Sequence, residues 1–391
     1  MMFLALLLST QLQAQTPLVE KKTFTLASYT TETGKTIAPV KVGYETYGTL
    51  NDAKDNAILI SHFYSGNSHA AGKYAEADPY PGYWDSIIGP GKAIDTNKYF
   101  VISSDTIVNI APLNPQVITT GPASINPKTK KPYGMSFPLV GVRDFVNVQR
   151  ELVKSLGITQ LHAAIGASGG AAQVMDYAAA YPAEVKNVVS VIGPGLSMPP
   201  YVIQLLNMWA MPIRMDRHWN GGNYYGKKQQ PTQGVQESMK FVILSAVYHD
   251  WVEKTFGANL ATDHKLPLAN LEHLFTVEAG FVAMGKLRGA AIDANSFLYT
   301  ARAIQTFNVE ELAKNIQAKT LFIPATTDLI FPPEVSYRAM KKLCDLGKHA
   351  EAIELKGTGG HLDGLFVIAQ AQDKIRSFLS GKTARKCGEK I

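Results

Sequence analysis

Cysteine, charge and long hydrophobic runs are all scarce in this sequence of 391 residues. It contains 2 cysteines, and only 18% of its residues are Asp, Glu, Lys or Arg. Its 2 cysteines and 9 histidines show no spacing typical of a zinc site, so no metal is predicted. No apolar run approaches the roughly 18 residues that a membrane helix needs, although 46% of the residues are hydrophobic. These values exclude disordered, collagen-like and multi-span membrane classes and favour a soluble globular protein.

Signatures of nucleotide and nucleic-acid binding are also lacking. The sequence contains neither a P-loop nor a G-x-G-x-x-G motif. Lysine and arginine (38) outnumber aspartate and glutamate (32), and the densest basic runs are residues 128–131 and 382–390. Both runs are interpreted as solvated surface, because a nucleic-acid-binding protein concentrates its basic residues on one face or in one long tail. We therefore expect no nucleic-acid partner.

The N-terminal residues predict export. Residues 1–8 form an apolar run that is too short to span a bilayer, and the small Ala14 after a polar stretch suits cleavage by signal peptidase. We therefore expect a signal peptide at residues 1–14 and a periplasmic or secreted protein. The basic residues that usually open a signal peptide are lacking, so a frayed apolar N-terminus or a misassigned start remains an alternative. Cys344 and Cys387 suit either one disulfide or two free thiols.

Short apolar runs alternate with helical segments along most of the chain. Six runs are predicted strands: AILISHF from residue 57, YFVISS from 99, LHAAIGA from 161, VKNVVSVIG from 185, KTLFIPAT from 319 and AEAIEL from 350. This alternation predicts an α/β fold with a mostly parallel sheet and helices on both faces. Methionine, aromatic residues and helical stretches (235–247 and 296–306) replace it between residues 197 and 307. We interpret 197–307 as a helical cap inserted between two parts of an α/β core, residues 15–196 and 308–391.

One motif predicts a nucleophile. Gly166, Ser168 and Gly170 form a G-x-S-x-G after a predicted strand and before an alanine-rich helix. In this context the glycines permit a tight turn that exposes the serine hydroxyl at the sheet edge, with the helix N-terminus behind it. The pentapeptide alone is common, so a purely structural turn is the alternative. Its place between strand and helix favours catalysis.

A nucleophilic serine needs a histidine base and a carboxylate that orients the histidine. In this architecture they follow in the order serine, acid, histidine. Asp328 follows a predicted strand and would lie at the same sheet edge as Ser168. Of the two histidines beyond it, His349 precedes the next strand, whereas His361 follows that strand on a glycine-rich loop. Position selects Asp328 and His361, with Asp363 as a rival acid.

Acyl transfer also requires N–H donors for the developing oxyanion. We predict the backbone N–H of Gly169, the residue after the serine, and one from the loop after an early strand. In that loop, SHFYSGNSH, Tyr64 is the expected second donor through its backbone. His62 and His69 flank the loop, and each is interpreted as a structural hydrogen-bonding residue.

With these residues identified, the chain resembles the homoserine O-acetyltransferase family of the α/β-hydrolase fold. The resemblance runs over residues 42–379 and includes YETYGTLN from residue 44, HFYSGNSHAAG from 62, WNGGNYYG from 219, DANSFLY from 293 and DLIFPP from 328. It implies that fold and a serine acyl-enzyme mechanism, with nucleophile, acid and base at Ser168, Asp328 and His361. It also suggests a homodimer joined through the cap.

Two positions depart from what the resemblance implies for a homoserine acceptor. Family members follow the catalytic histidine with an aspartate that holds the acceptor's amino group, whereas this sequence has Leu362 there and Asp363 one place later. They also carry an arginine on the first cap helix for the acceptor's carboxylate, and the stretch GVQESMKFVIL has Met239 or Lys240 near that place. Losing a charged partner should weaken homoserine binding by about 2–5 kcal/mol. Met239, Leu362 and Asp363 are the predicted substrate-binding positions.

The sequence therefore predicts an exported serine hydrolase that cleaves a small-molecule carboxylic ester, thioester or lactone through an acyl-Ser168 intermediate. Export argues against acetyl-CoA, a cytosolic metabolite, as the acyl donor. An O-acyltransferase that moves an acyl group from acyl-CoA to a hydroxyl such as that of homoserine is the alternative. A non-catalytic exported binding protein is a third hypothesis. No cofactor and no integral membrane segment are expected.

Overall fold

The computed structural model describes residues 18–261, 265–381 and 387, and the predicted signal peptide at 1–14 lies outside these residues. The strands are β1 (Lys22–Leu26), β2 (Tyr29–Thr30), β3 (Thr36–Ile37), β4 (Val40–Tyr47), β5 (Ala57–Ser61), β6 (Ile88–Gly89), β7 (Ile94–Asp95), β8 (Phe100–Ser104), β9 (Ala163–Ala167), β10 (Asn187–Val191), β11 (Lys319–Ile323) and β12 (Ala350–Ala352). The helices are α1 (Val142–Ser155), α2 (Gly169–Ala180), α3 (Pro200–Met215), α4 (Thr232–Ala246), α5 (His249–Phe256), α6 (Thr276–Gly289), α7 (Ala294–Gln305), α8 (Pro333–Asp345), α9 (Asp363–Phe366) and α10 (Gln372–Leu379).

Eight strands form one sheet in the order β1-β4-β8-β5-β9-β10-β11-β12. Six neighbouring strands run parallel: β8, β5, β9, β10, β11 and β12. Strands β4 and β1 complete one edge of the sheet with antiparallel pairing. The predicted α/β fold is therefore confirmed, in the arrangement expected of an α/β hydrolase. The pairs β2–β3 and β6–β7 form two small separate sheets.

The central strands are buried on both faces, which explains their mainly apolar runs. In β5, Ile58 and Ile60 pack into a hydrophobic layer with Trp84, whereas Leu59 packs into the opposite layer with Val146 of α1. Successive side chains of a strand point to opposite faces, so a strand covered on both sides is apolar at most of its positions. This double burial fixes the carboxyl ends of the parallel strands, where the site is built.

Helices α3 to α7 lie between β10 and β11, in the part of the chain predicted to form the cap; the exact cap boundaries stay a prediction. Helix α3 packs on α4 and α7, and α4 packs on α6. The WNGGNYYG and DANSFLY motifs meet here, because Trp219 Nε1 donates to Asn295 Oδ1 at 2.8 Å and the Tyr225 hydroxyl donates to Asp293 Oδ2 at 3.0 Å.

Cys344 of α8 and Cys387 form a disulfide, which selects between the two states that the sequence left open. Among the described residues, no helix combines the length and hydropathy needed to cross a bilayer.

Candidate active site

Ser168 occupies the sharp turn between β9 and α2. Its backbone has φ 55° and ψ −117°, a conformation that a residue with a side chain rarely adopts. The turn is possible because its neighbours lack a Cβ: one at Gly166 would lie 2.2 Å from Gly170 O, and one at Gly170 would lie 2.0 Å from Ser61 O. Both clashes would be with backbone, which cannot rotate away. The local sequence therefore holds the serine at the carboxyl end of β9, directly before the N-terminus of α2.

Ser168, His361 and Asp328 are joined by hydrogen bonds. His361 Nε2 lies 2.7 Å from Ser168 Oγ, and His361 Nδ1 lies 2.7 Å from Asp328 Oδ2. The other oxygen, Asp328 Oδ1, accepts the backbone N–H groups of Ile330 at 2.8 Å and Phe331 at 3.0 Å. A carboxylate can only accept, so Nδ1 carries the imidazole proton and Nε2 is left to accept a proton from the serine. The structure thus brings the three predicted residues together in the predicted order of contacts.

The loop that carries His361 follows β12 and packs against the end of α4. Gly360 has φ 71°, and a Cβ there would lie 2.8 Å from Tyr248 N and 2.9 Å from Ala246 O at the end of α4. Asp363 is the first residue of α9, directly after this loop, and both of its oxygens accept the N–H of Gly359, at 3.2 and 3.1 Å. Burial raises the pKa of Asp363. The rival acid therefore binds its own loop, and Asp328 is the carboxylate in contact with the histidine.

The two predicted oxyanion donors lie side by side. A Cβ at Gly169 would be 3.6 Å from Tyr64 N, and neither backbone N–H has a hydrogen-bond acceptor within the described part of the chain. The Tyr64 side chain is buried against α3 and α7: its hydroxyl donates to Phe297 O at 2.9 Å, and its ring centroid lies 5.5 Å from that of Trp209. Burial raises the pKa of Tyr64 well above its usual range, so its phenol stays protonated.

The predicted substrate-binding residues Met239, Leu362 and Asp363 occupy different environments. Met239 of α4 is buried in the hydrophobic cluster that also holds Tyr64, and Leu362 packs against the same cluster while half-buried. Asp363 is buried with its carboxylate on the loop backbone, as described above. Their contact with substrate stays a prediction.

The two histidines near the Tyr64 loop are occupied by structural hydrogen bonds. His62 Nδ1–H donates to Phe63 O at 2.7 Å, and its Nε2 accepts the N–H of Thr106 at 3.2 Å. Burial lowers the pKa of His62, which favours this neutral form. His69 Nδ1 lies 3.1 Å from a carboxylate oxygen of Glu45. Across the described ranges, no cluster of His, Cys, Asp and Glu side chains is suited to hold a metal ion.

The residues of α3 and α7 beside the oxyanion donors were not predicted from the sequence. Trp209 and Phe297 hold the Tyr64 ring, and a Cβ at Gly169 would meet Ile304 Cδ1 at 3.0 Å. Only Phe297 lies in a motif that the sequence singles out, DANSFLY. The others are ordinary apolar residues whose importance depends on how the cap folds back.

Comparison with known proteins shows the same fold. The sequence model of a family described as the alpha/beta hydrolase fold matches residues 119–365. A homoserine O-acetyltransferase from Methanohalobium evestigatum is 38% identical over 355 residues, which cover 89% of this chain and 71% of that relative. Among solved structures, esterase E22 is 45% identical with a TM-score of 0.88, over 93% of this chain and 100% of that one. A homoserine O-acetyltransferase from Bacillus anthracis is 38% identical with a TM-score of 0.88, over 95% and 99% of the two chains.

Proposed function

Because the chain belongs to the homoserine O-acetyltransferase family of the α/β-hydrolase fold, we propose that it is a serine acyl-transfer enzyme and that water is its principal acyl acceptor. Ser168 Oγ attacks the carbonyl carbon of an ester while His361 Nε2 takes the hydroxyl proton. The carbonyl oxygen becomes an oxyanion that receives the N–H groups of Tyr64 and Gly169. Asp328 stabilises the imidazolium through Nδ1–H without being protonated.

The second half of the reaction reverses these roles. His361 gives its proton to the departing alcohol, and the acyl group remains as an ester on Ser168. A water molecule then attacks that ester while His361 Nε2 takes its proton, and the same two N–H groups receive the second oxyanion. His361 finally returns the proton to Ser168 Oγ as the carboxylic acid leaves. The observation that carries this proposal is the hydrogen-bond chain from Ser168 through His361 to Asp328, with 2.7 Å at each step.

The choice of water as acceptor is supported by the charges near the site. Leu362 stands beside His361 where an aspartate would be needed for an amino group, and α4 contains no arginine. The one basic residue of α4, Lys240, pairs with Glu237 at 2.8 Å. A zwitterionic acceptor such as homoserine would leave its charged groups without partners on entering this site. The similarity to esterase E22, at 45% identity, points in the same direction.

The second candidate function is an O-acetyltransferase. It is favoured by the relatives called homoserine O-acetyltransferases, which are 34–38% identical over most of the chain. Both functions use the same acyl-enzyme and differ only in the nucleophile that reaches it.

The test compares the two acceptors on one preparation. Acetyl release from p-nitrophenyl acetate and from acetyl-CoA is measured with and without homoserine, using Ser168→Ala as the inactive control. Sustained Ser168-dependent turnover in water, unchanged by homoserine, supports the hydrolase. A slow reaction that accelerates only with homoserine would contradict it and support the transferase. Leu362→Asp, which restores a carboxylate beside His361, should raise transfer to homoserine relative to hydrolysis.

We also infer that the enzyme acts outside the cytoplasm. The predicted signal peptide supports this location, and so does the Cys344–Cys387 disulfide, since such bonds persist mainly in oxidising compartments. Expression of the full chain in a bacterium, followed by cell fractionation and mass measurement of the mature N-terminus, tests it. Retention of residues 1–14 on a cytoplasmic protein would contradict it.

A further inference from the structure

The loop that carries Tyr64 is held at three points by one neighbouring segment. We call residues 62–68 the oxyanion loop and residues 105–109, which follow β8, the clamp segment. At the start of the loop, His62 Nε2 accepts the N–H of Thr106 at 3.2 Å. Near its middle, Gly66 O accepts from Asn109 Nδ2 at 2.9 Å. At its end, the N–H of Ser68 donates to Asp105 Oδ1 at 2.8 Å.

Asp105 is an unusual residue for this position because its side chain is fully buried. Its second oxygen accepts the N–H of Ile118 at 2.9 Å, and Lys21 Nζ lies 3.9 Å away. The Lys21 ammonium also contacts the Ser68 hydroxyl and forms an ion pair with Glu45 at 2.8 Å. Burying a carboxylate is costly, and packing alone could be achieved by a neutral side chain. The carboxylate instead supplies two fixed acceptors that join the end of the oxyanion loop to the residues after β8.

We propose that Asp105 and Asn109 are positioning residues that set the Tyr64 N–H of the oxyanion hole. This inference rests on the proposed function, in which that N–H receives the oxyanion. Tyr64 lies between the anchored ends of the loop, and its N–H must reach an oxygen at about 2.7–3.1 Å to be effective. A displacement of about 1 Å can cost a hundredfold in rate. Neither positioning residue needs to touch the substrate.

Substitution of either residue should weaken stabilisation of the transition state more than it weakens substrate binding. Asp105→Asn preserves the shape of the side chain but offers one acceptor to two backbone N–H groups. Asn109→Ala removes the hydrogen bonds that the Asn109 amide donates to Gly66 O and His62 Nε2, and the one that its Oδ1 accepts from the N–H of Ala111. Each variant should lower kcat and kcat/KM together by about tenfold to a hundredfold with little change in KM, because the oxyanion exists only after attack. The inhibition constant of an alkyl trifluoromethyl ketone, whose adduct with serine carries the same oxyanion, should rise by the same factor.

Asp144→Asn is the matched control. Asp144 is an equally buried carboxylate that accepts the N–H groups of Glu32 at 2.9 Å and Gly141 at 2.8 Å, at the start of α1. It should lower thermal stability and leave kcat and the inhibition constant unchanged. All rates are expressed per active site, counted by fluorophosphonate labelling of the purified full chain, so that unfolded protein does not contribute. Asn109→Ala decides the matter if Asp105→Asn does not fold.

The inference is overturned if both clamp variants keep the wild-type kcat per active site, or if their losses are no larger than those of Asp144→Asn. If Ser168→Ala is inactive in the same assay, the proposed function still stands and only the positioning role fails. If Ser168→Ala itself retains turnover, the proposed function fails and the positioning role fails with it.

Discussion

Replacing Asp328 with asparagine should reverse the hydrogen-bonding sense of His361. Oδ1 of Asp328 receives two backbone N–H groups, from Ile330 and Phe331, so an asparagine must place its carbonyl oxygen there. The amide NH2 then faces His361 Nδ1, which has to become an acceptor. The imidazole proton moves to Nε2 and faces Ser168 Oγ. Because Nε2 is then protonated, it can no longer accept the serine proton.

The size of the loss follows from the alternative orientation. To keep the productive tautomer, the amide must rotate and turn its NH2 group toward the two N–H donors of Ile330 and Phe331. Each mismatched buried contact costs about 1–3 kcal/mol, or about 2–6 kcal/mol for the pair. This range corresponds to a loss of about 30-fold to 25,000-fold in kcat/KM. Substrate binding should change little, since Asp328 contacts the histidine and its own loop.

The assay is steady-state hydrolysis of p-nitrophenyl acetate, corrected for the number of active sites. Asp144→Asn is the control, because Asp144 is also a buried carboxylate that accepts two backbone N–H groups but lies at the start of α1. That variant should stay within about tenfold of the wild type, since only a neutral-for-charged hydrogen bond is changed. If Asp328→Asn keeps a third of the wild-type kcat/KM, the tautomer argument is refuted.

Three further predictions concern the surroundings of the triad. Gly170→Ala should abolish folding or reduce stability by at least about 3 kcal/mol, because its Cβ would lie 2.0 Å from Ser61 O. The tightest contact of a Cβ at Gly169 is with an isoleucine tip at 3.0 Å, so Gly169→Ala should fold, and chemical denaturation compares the two variants. Tyr64→Phe should lower the free energy of unfolding by about 1 kcal/mol in the denaturation assay, because the hydrogen bond to Phe297 O is lost. Its kcat should stay within about tenfold of the wild type, since the backbone N–H remains. A thousandfold loss of kcat would implicate the hydroxyl in catalysis. Burial lowers the pKa of His62, so the unfolded chain binds a proton below about pH 6.5 that the folded chain resists. The contribution of this pKa shift to the free energy of unfolding is present above that pH and is lost as the pH falls, by up to about 1.4 kcal/mol per pH unit. Urea unfolding at pH 7.5 and 5.5 should therefore show a larger loss of stability in the wild type than in His62→Gln. Equal losses would contradict this prediction.

The central strands and the three triad residues could be predicted because local sequence determines them. Each of the six predicted strands lies within its predicted run, since a doubly buried strand is mostly apolar. The turn at Ser168 is likewise a local feature of glycine spacing. By contrast, β4 was not predicted: it lies near the sheet edge, mixes polar with apolar residues, and carries Glu45 fully buried among distant partners. Helix α3 contains Pro212, which argues against a helix until packing compensates.

The supports of the oxyanion loop could not be predicted either. Asp105 and Asn109 are ordinary polar residues in sequence, and their partners at His62, Gly66 and Ser68 lie about forty residues away along the chain. Only the pairing of β5 with β8 brings them together. Such contacts depend on register and on loop conformation, which residue patterns do not encode.

Tyr64 serves two parts of the molecule, with its backbone beside Gly169 and its side chain between Trp209 and Phe297. Selectivity and speed are therefore not independently adjustable in this enzyme. A cap remodelled at Trp209 or Phe297 to admit a bulkier alcohol would also disturb the amide that the proposed mechanism uses. Variation that reshapes the entrance without touching the tyrosine ring leaves that amide alone. Libraries intended to broaden substrate range should spare those two positions.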